Sequence, residues 1–292
     1  MDIHYPESEL ILNADGSVFH LHLQPEQLAD NVILVGDPDR VNLVASHLDT
    51  QESETRNREF HTITGTRGCK RITVVSTGIG CDNIDIVMNE LDALANIDLH
   101  TRTDCPAHRS LNIVRIGTCG GLQPFTPIGT FICSDISIGL DGLLNFYHSD
   151  SGIRDSVLEH QFHTHMGWQG QTCIAYPYAV HADEELIRRI GADDMVHGIT
   201  LSAGGFYGPQ GRRLRIPLAD PEQNTKVEQF AYGAYHITNY EMESSAVAGL
   251  ARLLGHHAVT TCMVIANRRT GQANAQYKNT MDTLIETVLE RI

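Results

Sequence analysis

Basic residues are scarce in this sequence, and the shortage excludes several classes of function. The 292-residue chain has 21 lysines and arginines against 36 aspartates and glutamates, which gives a formal net charge of −15. Proteins that bind nucleic acids or acidic membranes gain much of their affinity from basic patches. We therefore expect no nucleic-acid partner and no membrane partner, and an anionic ligand would have to bind in a local basic pocket.

Long apolar runs and a leader segment are missing as well. No apolar run approaches the length that spans a bilayer, and the N-terminus lacks the basic segment and apolar core of a secretory signal. The seven cysteines are scattered and include no C-x-x-C pair, which disfavours a disulfide framework or a zinc ribbon. These features predict a cytoplasmic protein with reduced thiols.

Short apolar runs alternate with helical patterns along the chain. Strands are expected at residues 32–35, 71–76, 112–116, 130–138, 195–201 and 258–265, with a further strand just before Glu241. Helices are expected at residues 83–97, 184–190, 227–235, 243–254 and 275–292, and long connections at 98–111 and 145–171. This alternation is typical of an α/β fold with a largely parallel sheet. No Pro/Gly/Ser-rich linker divides the chain, which favours one domain.

Four clusters of glycine or polar residues follow predicted strands. They lie at residues 36–40, 77–80, 117–121 and 268–269, and the third is expected to be a tight turn. Ligands of open α/β sheets collect outside the carboxyl ends of the strands. The four clusters are therefore expected to share one edge of the sheet and to form the site there.

Two arginines in these clusters suggest an anion site. Arg40 is expected in the first turn of a helix that begins near Pro38, where the helix N-terminus already favours anions. Arg115 and Thr118 would add a planar guanidinium and a hydroxyl. The alternative is that both arginines form structural ion pairs with some of the many acids. No G-x-G-x-x-G fingerprint and no Walker lysine accompanies the glycines, which weakens a nicotinamide-dependent dehydrogenase.

A series of motifs then resembles one family. VFHLHL (18–23), VGDPDRV (35–41), NREF (57–60), STGIG (76–80), VRIGTCGGLQP (114–124), LDG (140–142), FYGPQGR (206–212), NYEMESSA (239–246) and VIANR (264–268) occur in this order. The chain thus resembles the uridine phosphorylases, the pyrimidine branch of the nucleoside phosphorylase superfamily. The resemblance implies a single α/β domain over residues 1–292, with residues 1–17 as an N-terminal extension. Its central sheet would be mixed, partly closed and flanked by helices.

The resemblance also implies an activity and a set of site residues. The reaction would be the reversible phosphorolysis of uridine to uracil and ribose 1-phosphate, in pyrimidine salvage. Phosphate binding would fall to Gly36, Arg40, Arg58, Arg115 and Thr118, and ribose binding to His20, Glu241, Met242 and Glu243. Base binding would fall to Phe206, Gln210, Arg212, Arg268, Gly120 and Cys119. His20 and Arg58 would come from a neighbouring subunit, so the family pattern implies a homo-oligomer, either a dimer or a trimer of dimers.

The chemistry of the base residues favours a pyrimidine. A glutamine amide offers one acceptor and two donors, which matches the N3–H and a carbonyl of uracil. Bacterial-type purine phosphorylases carry an aspartate where this chain has Ala266, Asn267 and Arg268. Inorganic phosphate is expected as a co-substrate, and no cofactor is expected.

Some features depart from the family pattern, and alternatives stay open. Cys119 stands where members of the family often have threonine or serine. The order of Gly208 and Pro209 is the reverse of that in the bacterial enzymes, and residues 145–171 match the family poorly. A phosphorylase that prefers thymidine, deoxyuridine or a purine nucleoside remains an alternative, as does a non-catalytic nucleoside or phosphate binder. A monovalent-cation site involving Glu59 and Ile79 is left open. His160, His163 and His165 lie close together in the sequence, but a chain with sixteen histidines can contain such a cluster by chance. No metal is therefore expected at these residues.

Overall fold

The computed structural model describes residues 4–148, 152–170 and 174–292. Cys173, the first three residues of the predicted N-terminal extension and parts of the predicted 145–171 connection lie outside these ranges. Among the described helices, none combines the length and apolar character needed to cross a membrane.

Fourteen strands and seven helices alternate over the described residues. The strands are β1 Asn31–Val35, β2 Thr50–Asn57, β3 Phe60–Arg67, β4 Lys70–Ser76, β5 Ile97–Asp98, β6 Thr103–Asp104, β7 Asn112–Gly121, β8 Phe131–Gly139, β9 Tyr178–His181, β10 Val196–Ser202, β11 Ala231–Tyr232, β12 Tyr235–Glu241, β13 His257–Asn267 and β14 Gln272–Ala273. The helices are α1 Pro38–Ala45, α2 Cys81–Asn96, α3 Ser156–His165, α4 Glu184–Leu186, α5 Gln223–Gln229, α6 Ser244–Leu253 and α7 Lys278–Arg291.

Strand β1 lies in the middle of the sheet and is covered by helices on both faces. It pairs in parallel with β4 on one side and with β7 on the other. Alternate side chains enter different cores: Val32 and Leu34 pack in the cluster that contains α2 and α6, and Ile33 and Val35 pack with α1 and α7. Burial on both faces explains why this strand is a continuous apolar run.

The sheet is mixed, and part of it closes on itself. The order β12-β10-β8-β13-β7 is completed by an antiparallel contact between β12 and β7, where Asn239 and Tyr240 face Gly121 and Gly120. Antiparallel β2 and β3 extend the open end beyond β4. The expected single α/β domain with a mixed, partly closed sheet is confirmed, whereas the expectation of a largely parallel sheet was only approximate.

The predicted tight turn at residues 117–121 is wrong. These residues continue β7, which pairs with β13 throughout and with β12 at its end. The glycines serve close packing rather than turning: a Cβ on Gly121 would lie 2.5 Å from the carbonyl oxygen of Thr126. Glycine within a strand often marks such a close approach.

Other differences follow from weak sequence signals. The predicted helix at 227–235 begins earlier and ends at Gln229, because Phe230 turns extended and leads into β11 and β12. The predicted 145–171 connection contains helix α3, whose polar sequence lacks a strong apolar period. Strand β2, missed in the sequence, has no buried residue, so it carries none of the alternation that marks a half-buried strand.

Candidate active site

A cavity of about 1040 Å³ lies at the carboxyl ends of the central strands. Residues that follow β1, β4 and β12 meet there with residues inside the last parts of β7 and β13. Three of the four clusters predicted to share a sheet edge line this cavity, and the fourth reaches it because Nη2 of Arg268 donates to Oε1 of Gln210 over 3.1 Å.

Most of the site residues expected from the sequence lie together on the wall of this cavity. They are Gly36, Arg40, Arg115, Thr118, Cys119, Gly120, Phe206, Gln210, Arg212, Glu241, Met242 and Glu243. The structure thus brings residues from four distant parts of the sequence into one space, which is the arrangement expected of a ligand site at the end of an α/β sheet.

Arg115 points from strand β7 into a pair of buried carboxylates. Its Nη2 donates to the carboxylate of Glu243, and its Nη1 lies 3.4 Å from Oε2 of Glu241. Burial by itself would lower the pKa of Arg115, but these two carboxylates outweigh burial and raise it above its ordinary value. Among the described residues, Nε of Arg115 is buried without a hydrogen-bond partner. The residue is therefore fixed as a cation and keeps one donor unused.

Arg40 is the second buried guanidinium, and it has a different environment. It lies in the first turn of α1, after Asp37, whose side chain caps the helix by accepting from the N–H of Asp39. Nη1 of Arg40 donates to the carbonyl of Ile116 over 3.3 Å. Within the described parts of the chain, Arg40 forms no ion pair with a carboxylate, although it is only 8% exposed. Its pKa is lowered, chiefly by burial and further by the charge of Arg115.

The two glutamates of the EME motif have different surroundings. The carboxylate of Glu241 accepts four hydrogen bonds at the start of α6, from the hydroxyls of Ser202 and Ser244 and from the N–H groups of Glu243 and Ser244. The carboxylate of Glu243 accepts from the N–H of Gly80 and from Arg115. A carboxylate has about four acceptor positions, so Glu243 retains acceptor capacity and Glu241 does not. Burial raises the pKa of Glu243, although Arg115 opposes this shift.

A glutamine held by two arginines forms the other end of the cavity. Oε1 of Gln210 accepts from Arg212 over 2.6 Å and from Arg268 over 3.1 Å. The guanidinium of Arg212 also stacks on the ring of Phe206, 3.6 Å from its centre. Burial and the neighbouring Arg268 lower the pKa of Arg212 to about 10. Because the amide oxygen is occupied, the Nε2 donors of Gln210 are the groups left to meet a ligand.

Cys119 lies in the cavity wall between these two ends. Burial raises its pKa well above the ordinary value, and the neighbouring Cys262 adds to this effect. A thiol in this state is neutral and a weak donor. Cys119 can contribute its small volume to the wall, but no strong polar contact.

The structure places His20 and Arg58 away from this cavity, next to each other. Nδ1 of His20 lies 2.7 Å from Oε1 of Glu90, and the guanidinium of Arg58 lies over the ring of Phe19. Arg58 stands at the tip of the β2–β3 hairpin with a φ of 54°, a conformation that few residues other than glycine adopt. The adjacent Glu59 lines the cavity, so this hairpin passes close to its mouth.

The sequence did not point to several residues that line the cavity. Tyr240 comes from β12, Ala273 comes from β14, and residues 274–275 and Tyr277 come from the connection before α7. Tyr240 stands beside the EME motif and could have been found from it. Tyr277 lies in a stretch that was expected to be part of the C-terminal helix, and no motif marks it.

Three groups of side chains in the described residues have the spacing of metal ligands, and none of them lies in the cavity. They are Asp92 with His108 and His256, Cys133 with Asp135 and His197, and His47 with Asp282 and Glu286. Both ring nitrogens of His197 face acceptors, and Nδ1 of His256 accepts from the N–H of Leu111. Hydrogen bonding therefore leaves neither imidazole a lone pair for a metal. His160, His163 and His165 belong to none of these groups.

Comparison with known proteins identifies the family. Curated uridine phosphorylases are similar over most of the chain: that of Escherichia coli is 29% identical over 94% of this chain and 96% of its own length, and that of Thermococcus kodakarensis is 28% identical over 88% and 80%. A crystal structure of a Trypanosoma brucei nucleoside phosphorylase reported to show uridine phosphorylase activity superimposes with a TM-score of 0.86, at 26% identity, covering 97% of this chain and 98% of that one. The sequence model of the phosphorylase superfamily matches residues 30–291, and the chain belongs to that superfamily.

Proposed function

We propose that the protein is a uridine phosphorylase, which converts uridine and inorganic phosphate to uracil and ribose 1-phosphate. The observation that carries this proposal is the environment of Arg40. A buried guanidinium that has no carboxylate partner and lies near a second guanidinium is costly unless an anion joins it. The similar uridine phosphorylases and the uridine phosphorylase activity reported for the Trypanosoma brucei structure give that anion an identity.

In the proposed reaction the phosphate binds between the two arginines. Arg40, Nε of Arg115, Thr118 and the backbone near Gly36 would hold a phosphate dianion on one side of the ribose. Glu243 would accept hydrogen bonds from the 2′- and 3′-hydroxyls of the ribose with its remaining acceptor positions, and Met242 would lie under the sugar. Glu241 would act indirectly, because its hydrogen bonds fix the start of α6 and so the position of Glu243.

Cleavage of the glycosidic bond separates charge, and each end of the cavity would stabilise one sign. Positive charge develops on the ribose next to the phosphate, which then attacks the anomeric carbon. Negative charge develops on the base, where Gln210 and Arg212 would stabilise it, with Phe206 alongside the ring. The site requires no covalent protein intermediate, because positioning and electrostatics lower the barrier.

The base end supports a pyrimidine over a purine. Gln210 lines the cavity and its oxygen is held by arginines, so its two Nε2 donors remain for a ligand, an arrangement that suits the carbonyl oxygens of uracil. No acid stands at Ala266, Asn267 or Arg268 to protonate a purine. Purine nucleoside phosphorylases are also among the relatives, such as that of Bacillus velezensis at 23% identity, so purine nucleosides belong in the assay.

We further propose that the active unit is a homo-oligomer, at least a dimer, with shared sites. His20 and Arg58 lie close together at the β2–β3 hairpin and outside the cavity of their own chain, a position from which they would complete a neighbour's site at the ribose and the phosphate. A cytoplasmic location is part of the proposal and fits the free thiols of the described cysteines. No cofactor other than the co-substrate phosphate enters the proposed reaction.

The experiment is an absorbance assay of uridine cleavage with and without inorganic phosphate. Uracil release that depends on phosphate, and that exceeds the rates with deoxyuridine, thymidine and inosine, is the expected result. Uracil release without phosphate would indicate a hydrolase. No cleavage of any nucleoside, together with measurable phosphate or uridine binding, would indicate a non-catalytic binder.

A further inference from the structure

Tyr277 forms the wall behind the phosphate end of the cavity. It immediately precedes α7, is half-buried, and lines both the large cavity and a smaller one of about 340 Å³ between α1 and α7. Arg40 lines the same two cavities. Asp37 lines both cavities as well, and the hydroxyl of Tyr277 lies beside the guanidinium of Arg40, close enough for a hydrogen bond.

The direction of this hydrogen bond follows from the two functional groups. A guanidinium carries five N–H donors and no acceptor, so the phenolic oxygen of Tyr277 must accept from Arg40. The phenolic proton is then free to be donated elsewhere. Among the hydrogen bonds of the described residues, no acceptor takes that proton. A donor beside a buried guanidinium that has no carboxylate partner is suited to an anion that both groups contact.

We infer that Tyr277 is a further phosphate-binding residue, whose hydroxyl accepts a hydrogen bond from Arg40 and donates one to a phosphate oxygen. This inference rests on the proposed function for the identity of the anion. In the Michaelis complex the hydroxyl would fix the direction of the Arg40 guanidinium and add one neutral donor to the phosphate. It makes no contact with the nucleoside end, where Gln210 and Arg212 lie.

The test is the Tyr277→Phe variant, which removes the hydroxyl and retains the ring. The KM for phosphate is expected to rise about tenfold, since hydrogen bonds to charged groups are stronger than neutral ones. Because the contact is the same in the ground and transition states, kcat at saturating phosphate should stay within about twofold of wild type. The KM for uridine should not change. Tyr235→Phe is the matched control, because its hydroxyl bonds to Asp135 and both residues line a separate cavity of about 1070 Å³.

A second variant separates the hydroxyl from the ring. Tyr277→Leu removes both, and its KM for phosphate should be raised at least as much as that of Tyr277→Phe. An unchanged phosphate KM in Tyr277→Phe, with a rise only in Tyr277→Leu, would overturn the inference. The rise in KM would then come from loss of the ring, which lines the cavity. If the wild-type protein cleaves no uridine, the proposed function fails separately, and calorimetry with inorganic phosphate still tests the hydroxyl. Equal phosphate affinities of wild type and Tyr277→Phe would then show that the hydroxyl does not bind phosphate.

Discussion

Gly117 leaves the space into which the guanidinium of Arg115 folds. Both residues lie on the same face of β7, two positions apart, and a Cβ on Gly117 would lie 2.2 Å from Nη1 of Arg115. The absence of a side chain at residue 117 therefore lets Arg115 stay close to its own strand and reach the carboxylate of Glu243. The buried position of the arginine in this apolar strand therefore depends on the glycine two residues after it.

The Gly117→Ala substitution should consequently act on Arg115. The added methyl group would push the guanidinium away from Glu243, so we expect kcat/KM for phosphate to fall at least about tenfold, a loss of one charge-assisted contact. Gly204→Ala is the control, because a Cβ there meets only ordinary van der Waals contact at 3.8 Å. Steady-state kinetics with varied phosphate would measure both. Wild-type phosphate kinetics in Gly117→Ala would show that Arg115 is not positioned in this way.

The two buried arginines should differ in their contributions to stability. Arg115→Gln leaves two buried carboxylates without their cation and should lower the free energy of unfolding by about 3–5 kcal/mol. Arg40→Gln removes a buried charge that forms no ion pair with a carboxylate of the described residues, so stability should stay within about 1 kcal/mol of wild type. Both variants should lose phosphate-dependent turnover. Denaturant unfolding and the uridine assay measure the contrast, and equal stability losses would contradict these environments.

His197 should make stability depend on pH above neutrality. Its Nδ1 and Nε2 lie 2.7 Å from Asp135 and from the carbonyl of Ala192, two acceptors that favour the protonated imidazole. Burial tends to lower the pKa of His197, but these two acceptors outweigh it and raise the pKa. A raised pKa in the folded state contributes stability that is complete below the unfolded value of about 6.5 and is lost as pH rises through the folded value.

The measurement is the melting temperature of wild type and His197→Gln at about pH 6 and about pH 8.5, on either side of the titration. The difference between the two proteins should be larger at the lower pH. His100→Gln, at an exposed turn, should match wild type at both values. A melting difference for His197→Gln that does not change with pH would show that the imidazole is neutral in the folded protein.

The sequence predicted those site residues that are marked by their neighbours in the chain, and it missed those that depend on distant contacts. Arg40 was predictable because Pro38 and the preceding glycine mark a helix start after a buried strand. Met242 and Glu243 belong to a short motif and were placed at the cavity by resemblance. The role of Gly117 was missed, because its effect depends on the direction of the Arg115 side chain. Tyr277 was missed because its contact with Arg40 joins residues 237 positions apart without any motif.

The fold was predictable where a buried strand has an apolar sequence. Strand β3 is buried over six residues but was missed, because its sequence FHTITGTR is mostly polar. Strand β1 is buried on both faces and appears as an apolar run, whereas β2 is exposed and polar. The sheet closes where β12 pairs with Gly120 and Gly121 of β7, and a Cβ on Gly121 would clash with Thr126. In a single sequence, such glycines look like a turn.

Gln210→Glu tests the base end of the site. A carboxylate keeps the acceptor that Arg212 and Arg268 hold, but it removes the two Nε2 donors and places negative charge where charge develops on the base. We expect kcat/KM for uridine to fall about a hundredfold or more while the protein stays folded. Gln51→Glu is the control, because its amide contacts the carbonyl of Ala45 and the residue does not line the cavity. Unchanged uridine kinetics in Gln210→Glu would place the base elsewhere.

Shared sites predict that two inactive variants can restore each other's activity. Arg58→Ala should damage the site of the neighbouring subunit, and Glu243→Gln should damage the site of its own chain. Each variant alone should be nearly inactive with uridine and phosphate. In a dimer that contains one chain of each kind, one site carries both defects and the other carries none. Random mixing makes half of the dimers mixed, so about a quarter of the wild-type activity should return after the variants are unfolded and refolded together. An affinity tag on one variant, which should retain the untagged variant after refolding, would verify that the subunits had mixed. Mixing without recovered activity would show that Arg58 does not act in its neighbour's site.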